Sequence, residues 1–169
     1  DMIAKLENEG MKPNYEVFNI LELIQNVFDL FEMKAKKRNI KLIFDRVYEF
    51  PVFVNADIEK IEQVLINLVV NSIKYGKPGG TTGVGIDSYN EKKFIVKVID
   101  NGEGIKKEHL SRLFERFYRV DQSRSREQGG SGLGLSIVKH IIEAHDENIF
   151  LKSTFGEGSE FSFTLKKAT

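Results

Sequence analysis

The chain has no cysteine among its 169 residues. That absence excludes disulfides, thiolate metal sites and a cysteine nucleophile, and it is compatible with a reducing cytosol. The sequence contains no apolar run near the ~18 residues that a membrane span needs, and no secretory signal peptide opens it. Because the first residue is Asp1 rather than Met, we expect a piece of a longer protein.

The sequence also lacks an excess of either charge. It has 25 basic and 25 acidic side chains, for a formal net charge of zero. A neutral chain is not drawn as a whole to a polyanion, so we expect no nucleic-acid partner and no direct membrane contact in this fragment. The length suits one domain, which at about 150 residues buries roughly 70% of its unfolded surface.

Glycine is scarce in the first half, since 11 of the 14 glycines lie between Gly76 and Gly134. Around this glycine-rich centre, apolar periodicity predicts alternating helices and strands, which favours an α+β two-layer α/β sandwich. Segment 119–130 is polar and without period, which predicts a mobile loop. We predict helices over 19–38, 57–75, 106–117 and 133–145, and strands over 40–44, 52–54, 84–89, 93–100, 148–153 and 160–166.

The helix predicted from Asp57 to Tyr75 has a polar face of its own. Asn67, Asn71 and Lys74 are spaced at i, i+4 and i+7 and therefore lie on one side. Asparagine is a mediocre helix former, so two in mid-helix need a reason. Either this is a solvated face, or it is a metal and phosphate face, since amide oxygens suit magnesium and an ammonium suits a phosphate.

A second candidate is the sequence DNGEGI from Asp100 to Ile105, directly after an apolar strand. Aspartate, asparagine and glycine are common turn residues, so a tight turn explains it. Alternatively, the carboxylate accepts a hydrogen bond from the exocyclic amine of adenine, and the glycines let the backbone approach a flat ring.

A third candidate is the glycine-rich run from Gly129 to Leu135, which opens a predicted helix. Free N–H groups and the helix dipole make such a start suitable for phosphate. The spacing does not match the dinucleotide-binding fingerprint, and a Walker loop is excluded because no Gly-Lys-Ser/Thr occurs.

The fourth candidate is a basic segment. Between Lys106 and Arg126, seven basic residues face three acidic ones, a local excess of four. It is either a solvated loop or a lid that brings a guanidinium to a triphosphate. No histidine has metal-ligand spacing, so we expect surface or capping roles for His109, His140 and His145.

Taken in order, these pieces resemble the catalytic ATP-binding domain of bacterial sensor histidine kinases, in the superfamily that also holds gyrase, the Hsp90 chaperones and MutL. The motif QVLINLVVNSIKYG (63–76) resembles the N box and DNGEGI (100–105) the first glycine box. The motif LFERFYRV (113–120) resembles the F box and GGSGLGLSIVK (129–139) the second glycine box. The resemblance implies the Bergerat fold, a mixed sheet with helices on one face and a mobile lid.

The resemblance also implies residue roles toward ATP and Mg²⁺. Asn71 would ligate the metal and, with Lys74 and Arg119, serve catalysis. Asp100 would accept from the adenine amine. The implied nucleotide-binding set is Asn67, Asn71, Lys74, Tyr75, Asp100, Gly102, Gly104, Ile105, Tyr118, Arg119, Gly130, Ser131, Gly132, Leu133, Gly134 and Leu135.

By the same resemblance, residues 1–18 would be the end of a dimerisation helix and a linker, and residues 19–169 the catalytic domain. No acceptor histidine motif is found, so the acceptor would lie on a dimerisation domain outside this chain, and the fragment would bind ATP but phosphorylate itself little. A response regulator is the expected partner of a full-length protein anchored in a membrane. Asp146-Glu147 replace a frequent family glycine, which puts that turn in doubt.

Three alternatives remain open. The domain could be a degenerate nucleotide-sensing or partner-docking module, against which the intact motif set argues. It could be an ATPase of the chaperone or repair type, although Glu59 and Glu62 do not lie one turn before the key asparagine. It could be an anti-sigma serine kinase, which the remnant of a dimerisation helix disfavours.

Overall fold

The protein is described by a computed structural model over residues 12–115, 118 and 134–168. Within these ranges the elements alternate as the apolar pattern predicts. The helices are α1 (Ile20–Lys37), α2 (Ile58–Tyr75), α3 (Lys107–Leu110) and α4 (Gly134–Ala144), and the strands are β1 (Glu16–Asn19), β2 (Lys41–Phe44), β3 (Phe53–Ala56), β4 (Thr81–Ser88), β5 (Lys93–Asp100), β6 (Ile149–Thr154) and β7 (Gly158–Lys167).

Side-chain caps start the two long helices. The Asn19 Oδ1 accepts from the Leu21 N–H at 3.1 Å, and the Asp57 Oδ1 accepts from the Lys60 N–H at 3.2 Å. Such caps satisfy backbone donors that have no partner inside the helix. The cap at Asp57 lies where the helix predicted over 57–75 begins.

The strands form one mixed sheet in the order β1-β3-β7-β5-β4-β2, and β6 also pairs with β7. The pairing of β2 with β4 is parallel, and the other described pairs are antiparallel. Strand β7 therefore lies at the centre, although it is the last element of the chain. Its register with β5 places Ser159 opposite Asp100.

The core lies between the helices and one face of the sheet. In β7, the side chains of Phe161, Phe163 and Leu165 are buried, and the register sets them opposite Val98, Val96 and Phe94 of β5. Helix α2 contacts both α1 and α4, and all three helices contact the sheet, so the predicted two-layer sandwich with helices on one face is confirmed.

The structure differs most from the predicted elements in three places. Strand β1 was not predicted, because its four residues become strand-like only by pairing with β3. Strand β4 begins at Thr81 rather than at residue 84. The helix predicted over 106–117 is wrong in length, since α3 ends at Leu110.

After α3 the chain continues as a series of tight turns. The N–H groups of Arg112, Glu115 and Tyr118 each donate to the carbonyl three residues earlier rather than four. This spacing winds the backbone more tightly than an α-helix. It also lets the Phe114 ring pack edge-on against Phe161, with centroids 6.2 Å apart, as an anchor in the core.

The turn after α4 contains Asp146 and Glu147, where the resemblance leads us to expect a glycine. Asp146 adopts a φ of +58°, a left-handed conformation that glycine adopts without steric cost. Glu147 is buried beside it, and its Oε1 accepts from the Thr164 hydroxyl at 2.6 Å and lies 3.0 Å from the Lys93 Nζ. An aspartate thus adopts here the left-handed conformation that favours glycine.

In the described ranges, no helix combines the length and the apolar character needed to cross a bilayer.

Candidate nucleotide-binding site

A cavity of about 330 Å³ opens between α2, the loop after β5 and the start of α4. Ten of the predicted binding residues line it, drawn from all four motifs. They are Asn67, Asn71, Lys74, Tyr75, Asp100, Gly104, Ile105, Tyr118, Gly134 and Leu135.

Helix α2 supplies one wall through its polar face. Asn67, Asn71 and Lys74 all line the cavity, as the i, i+4, i+7 spacing predicts. The Gln63 amide donates to the Asn67 Oδ1 at 2.8 Å, which leaves the Asn67 Nδ2 to donate to the Gly134 carbonyl at 3.0 Å. Asn67 therefore ties α2 to the first residue of α4.

Lys74 and Tyr75 form the last turn of this wall. The Lys74 Nζ lies 5.8 Å from the centre of the Tyr75 ring. Asn71 is half-buried one turn earlier. A neutral amide oxygen and an ammonium group therefore share one side of the cavity.

Asp100 lies at the end of β5, where the apolar strand delivers its carboxylate into the cavity. Its side chain is only 9% exposed, and burial raises its pKa above the usual aspartate range, an effect partly opposed by N–H groups of Gly102 and Ser159. The Gly102 N–H donates to the Asp100 Oδ1 at 3.0 Å. These donors hold the carboxylate in one orientation, as an acceptor toward the cavity.

The two glycines after Asp100 serve different purposes. Gly104 has a φ of +71°, and a Cβ there would lie 2.2 Å from the Thr154 carbonyl oxygen. Gly102 does not line the cavity. A Cβ on Gly102 would lie 2.4 Å from the Tyr75 carbonyl oxygen, so this glycine lets the loop pack under the end of α2.

The β6–β7 hairpin supports this loop from below. The Ile105 N–H donates to the Ser153 Oγ at 2.8 Å, and the Gly156 N–H donates to the Glu103 carbonyl at 2.6 Å. The loop is thus held by hydrogen bonds rather than by its own turn alone.

Tyr118 closes part of the remaining side. Its hydroxyl forms a short hydrogen bond with the His109 Nδ1, and the Arg112 guanidinium lies 4.6 Å from the centre of its ring. His109 therefore orients Tyr118, a residue that lines the cavity.

Several predicted residues lie outside the described part of the chain. They comprise Arg119, Gly130, Ser131, Gly132 and Leu133. Their roles toward phosphate stay predictions, as does the mobile loop over 119–130.

Five lining residues were missed from the sequence: Ile66, Val70, Glu103, Leu113 and Ser159. Val70 could have been found, since it lies one turn from both Asn67 and Lys74 on α2. No local signal marks Ser159, because only the register of β7 with β5 brings it to Asp100.

The buried acceptor and the amide and ammonium groups lie on different sides of the cavity. One buried acceptor, Asp100, lies among apolar groups such as Ile105 and Leu113, and the amide and ammonium groups of Asn71 and Lys74 lie on the α2 wall. Such a site suits a flat ring that donates a hydrogen bond and carries an anionic group elsewhere.

Comparison with known proteins gives concordant results. The family model described as "Histidine kinase-, DNA gyrase B-, and HSP90-like ATPase" matches residues 56–169. The matched span contains every residue that lines the cavity.

The sequence is 35% identical to the sensor histidine kinase WalK of Bacillus subtilis over 96% of this chain and 26% of the relative. It is 36% identical to the sensor protein SrrB of Staphylococcus aureus over 98% of this chain and 28% of the relative. The catalytic domain of the histidine kinase ThkA superposes with a TM-score of 0.75 at 32% identity, over 92% of this chain and 99% of that domain. The chain thus spans about a quarter of the length of the curated relatives but nearly all of that solved domain.

Proposed function

The chain belongs to the family of histidine kinase-, DNA gyrase B- and HSP90-like ATPases, as a catalytic ATP-binding domain of the sensor histidine kinase kind, and we propose that it transfers the γ-phosphoryl group of ATP to a histidine on a dimerisation domain outside this chain. The buried Asp100 carboxylate in the cavity carries this proposal. An acceptor in that position favours the 6-amino group of adenine and opposes the carbonyl oxygen of guanine.

The polar, apolar and charged residues of the cavity have different roles toward ATP. Asp100 accepts from the adenine amine, and Ile105 and Tyr75 border the base. Lys74 supplies a positive charge to the phosphates, and we assign the same role to Arg119. Because phosphoryl transfer has little covalent chemistry for a protein to perform, orientation and charge stabilisation are what these side chains contribute.

Asn71 fits a magnesium ion bound together with the phosphates. Its amide oxygen is a hard neutral ligand on the cavity wall, and magnesium commonly takes one or two protein ligands beside phosphate and water. Over the described residues, no three His, Cys, Asp or Glu side chains form a metal-binding group, so a site here would draw on Asn71 rather than on a carboxylate cage. When bound, the ion would neutralise charge on the phosphates.

The wider assignments follow from this function. We propose that residues 1–18 include the end of a dimerisation helix and a linker, although Glu16 and Val17 already pair with β3. We further propose a response regulator as the downstream partner and a cytoplasmic location within a membrane-anchored sensor. The catalytic domain alone would bind ATP and phosphorylate itself little, since the acceptor lies elsewhere.

The test is to mix this chain with a dimerisation domain that carries an acceptor histidine and supply ATP labelled on the γ-phosphate. The expected product is an acid-labile phosphohistidine, and Asn71→Ala should abolish it. Asn148→Ala is the matched control, because Asn148 is exposed and outside the cavity. Label on serine, or release of free phosphate without protein label, would instead favour one of the other activities of the family.

A further inference from the structure

The C-terminal end of α2 is completed by a side chain from another element. The last carbonyls of a helix have no partner within it. Many helices end at a glycine in the left-handed conformation, which satisfies these carbonyls, but Gly76 has φ −71° and ψ 162°. The helix that carries Asn71, Lys74 and Tyr75 therefore ends without that common capping geometry.

Arg38 supplies the missing donors. It is the residue directly after α1, 38 positions before Gly76 in sequence. Its Nε donates to the Ile73 carbonyl at 3.1 Å, and its Nη2 donates to the Lys74 carbonyl at 3.2 Å and to the Gly76 carbonyl at 2.9 Å. One half-buried guanidinium thus donates to two carbonyls of the last turn of α2 and to the carbonyl of its C-cap residue.

The remaining carbonyl of that turn faces the nucleotide loop. The Glu103 N–H donates to the Tyr75 carbonyl at 3.3 Å, next to the close approach of Gly102. The last turn of α2 is therefore held from one side by Arg38 and from the other by the loop that follows Asp100.

The fit beneath Gly76 leaves little room for this turn to move. A Cβ on Gly76 would lie 2.6 Å from the Ile40 Cδ1. Ile40 lies two residues after Arg38, and its own N–H donates to the Ala35 carbonyl at 2.9 Å. The segment between α1 and β2 thus packs directly against the end of α2.

We propose that Arg38 is a positioning residue for the nucleotide site: it fixes the last turn of α2 so that Lys74 and Tyr75 keep their places opposite Asp100. This inference rests on the proposed function. Arg38 does not line the cavity and acts through the backbone. A positive charge at a helix C-terminus is favourable in itself, but only a planar guanidinium offers several fixed donors to separate carbonyls, so lysine does not replace it.

The experiment compares Arg38→Ala and Arg38→Lys with Asn19→Ala, each in the full chain. Asn19 caps α1 at its other end, so its loss lowers stability without touching the last turn of α2. Affinity for Mg-ATP is measured by calorimetry and stability by urea unfolding. We expect both Arg38 variants to bind ATP roughly ten- to hundredfold more weakly, the scale of a misplaced binding group, and Asn19→Ala to bind like the wild type.

A double-mutant cycle with Lys74→Ala distinguishes positioning from general loosening. If Arg38 acts through Lys74, the two losses of affinity are not additive. Additive losses, or wild-type affinity in Arg38→Lys, would overturn the proposal. If the wild-type chain fails to bind ATP at all, it is the proposed function that fails instead.

Discussion

The Asn67 side chain bridges two of the sequence motifs, because its Nδ2 donates to the Gly134 carbonyl at 3.0 Å. Gln63 donates to the other end of the same amide, which fixes its orientation. A residue predicted to lie near the metal thus also sets the distance between α2 and the helix start of the second glycine box.

This bond predicts an ordered series of substitutions at residue 67. Asn67→Asp places a carboxylate oxygen against the Gly134 carbonyl, whereas Asn67→Ala only removes the bond. We expect Asn67→Ala to lower ATP affinity by about 1 kcal/mol, the usual net worth of a hydrogen bond, and Asn67→Asp to lower it further. Calorimetry checks the order, with Asn148→Ala as the control, since Asn148 is exposed and outside the cavity. Equal affinities for the Ala and Asp variants would contradict this role.

Asp100→Asn should affect binding and stability in opposite directions. Replacing the acceptor by a mixed group should weaken ATP binding by roughly 1.5–3 kcal/mol. The same change removes a buried carboxylate whose pKa is raised because burial disfavours its charge, so at neutral pH the free energy of unfolding should rise. Calorimetry and urea unfolding measure the two effects, with Asp87→Asn as a control outside the cavity. An Asp100→Asn variant that binds ATP like the wild type would refute the adenine assignment.

The raised pKa of Asp100 also predicts how binding depends on pH. As pH falls through that raised pKa, the carboxylate takes up a proton and ceases to be a pure acceptor, so wild-type affinity should drop above the pH at which an ordinary aspartate titrates. Asp100→Asn cannot titrate there, and its profile reports the ATP phosphates together with the other ionisable groups. The difference between the two profiles isolates Asp100, and parallel profiles would be inconsistent with its direct contact with the base.

Gly79 and Gly104 have similar positive φ angles but different surroundings. Substitutions at the two positions therefore measure the cost of the left-handed conformation apart from the cost of close packing. Gly79 has φ +84° and nothing within 4 Å of a Cβ, while Gly104 has φ +71° and would bring a Cβ to 2.2 Å from the Thr154 oxygen. Gly79→Ala should cost about 1–2 kcal/mol, the penalty of the left-handed conformation. Gly104→Ala should cost clearly more and should also weaken ATP binding. Urea unfolding and calorimetry on both variants test this, and equal losses of stability would show that the packing at Gly104 is unimportant.

We expect His145 to make the domain less stable in acid. Its ring is buried, its Nε2 accepts from the Asp57 N–H at 3.1 Å, and its Nδ1 donates to the Ile141 carbonyl at 2.8 Å, so the neutral tautomer is the one that fits. Burial lowers its pKa. The unfolded chain therefore binds the proton more readily, and the free energy of unfolding should fall as pH drops below about 6.5, the ordinary histidine pKa.

The measurement is urea unfolding across this pH range for the wild type and His145→Gln. The variant should lose most of the slope, because glutamine can accept and donate without titrating. His140→Gln is the matched control, since His140 is on the same helix and only half-buried. An unchanged slope in His145→Gln would assign the acid sensitivity to other groups.

Sequence patterns predict those parts of the site that lie within one element. The polar face of α2 follows from helical spacing, and Asp100 follows from its place at the end of an apolar strand. Ser159 could not be predicted, because it reaches Asp100 only through pairing of strands far apart in sequence. The same holds for Arg38, whose partners lie on the next helix, and for β1, whose residues have no strand signal without β3.

The short α3 shows a second limit. Apolar spacing over 106–117 is compatible with a helix, but tertiary packing of Phe114 on Phe161 favours tighter turns. His145 was expected to be a surface or capping residue. It does cap, by accepting from the Asp57 N–H beside the start of α2, but it does so from the interior.

The central position of β7 has a consequence for how the protein is made. This strand follows every other described element in sequence, yet it joins β3 and β6 to β5, so the sheet stays in separate parts until β7 has been synthesised. Folding of this domain is therefore completed only when β7 is available, and it is dominated by contacts between distant parts of the chain. A nascent chain arrested before Gly158 would expose the edges of β3 and β5 and would be a natural client for chaperones.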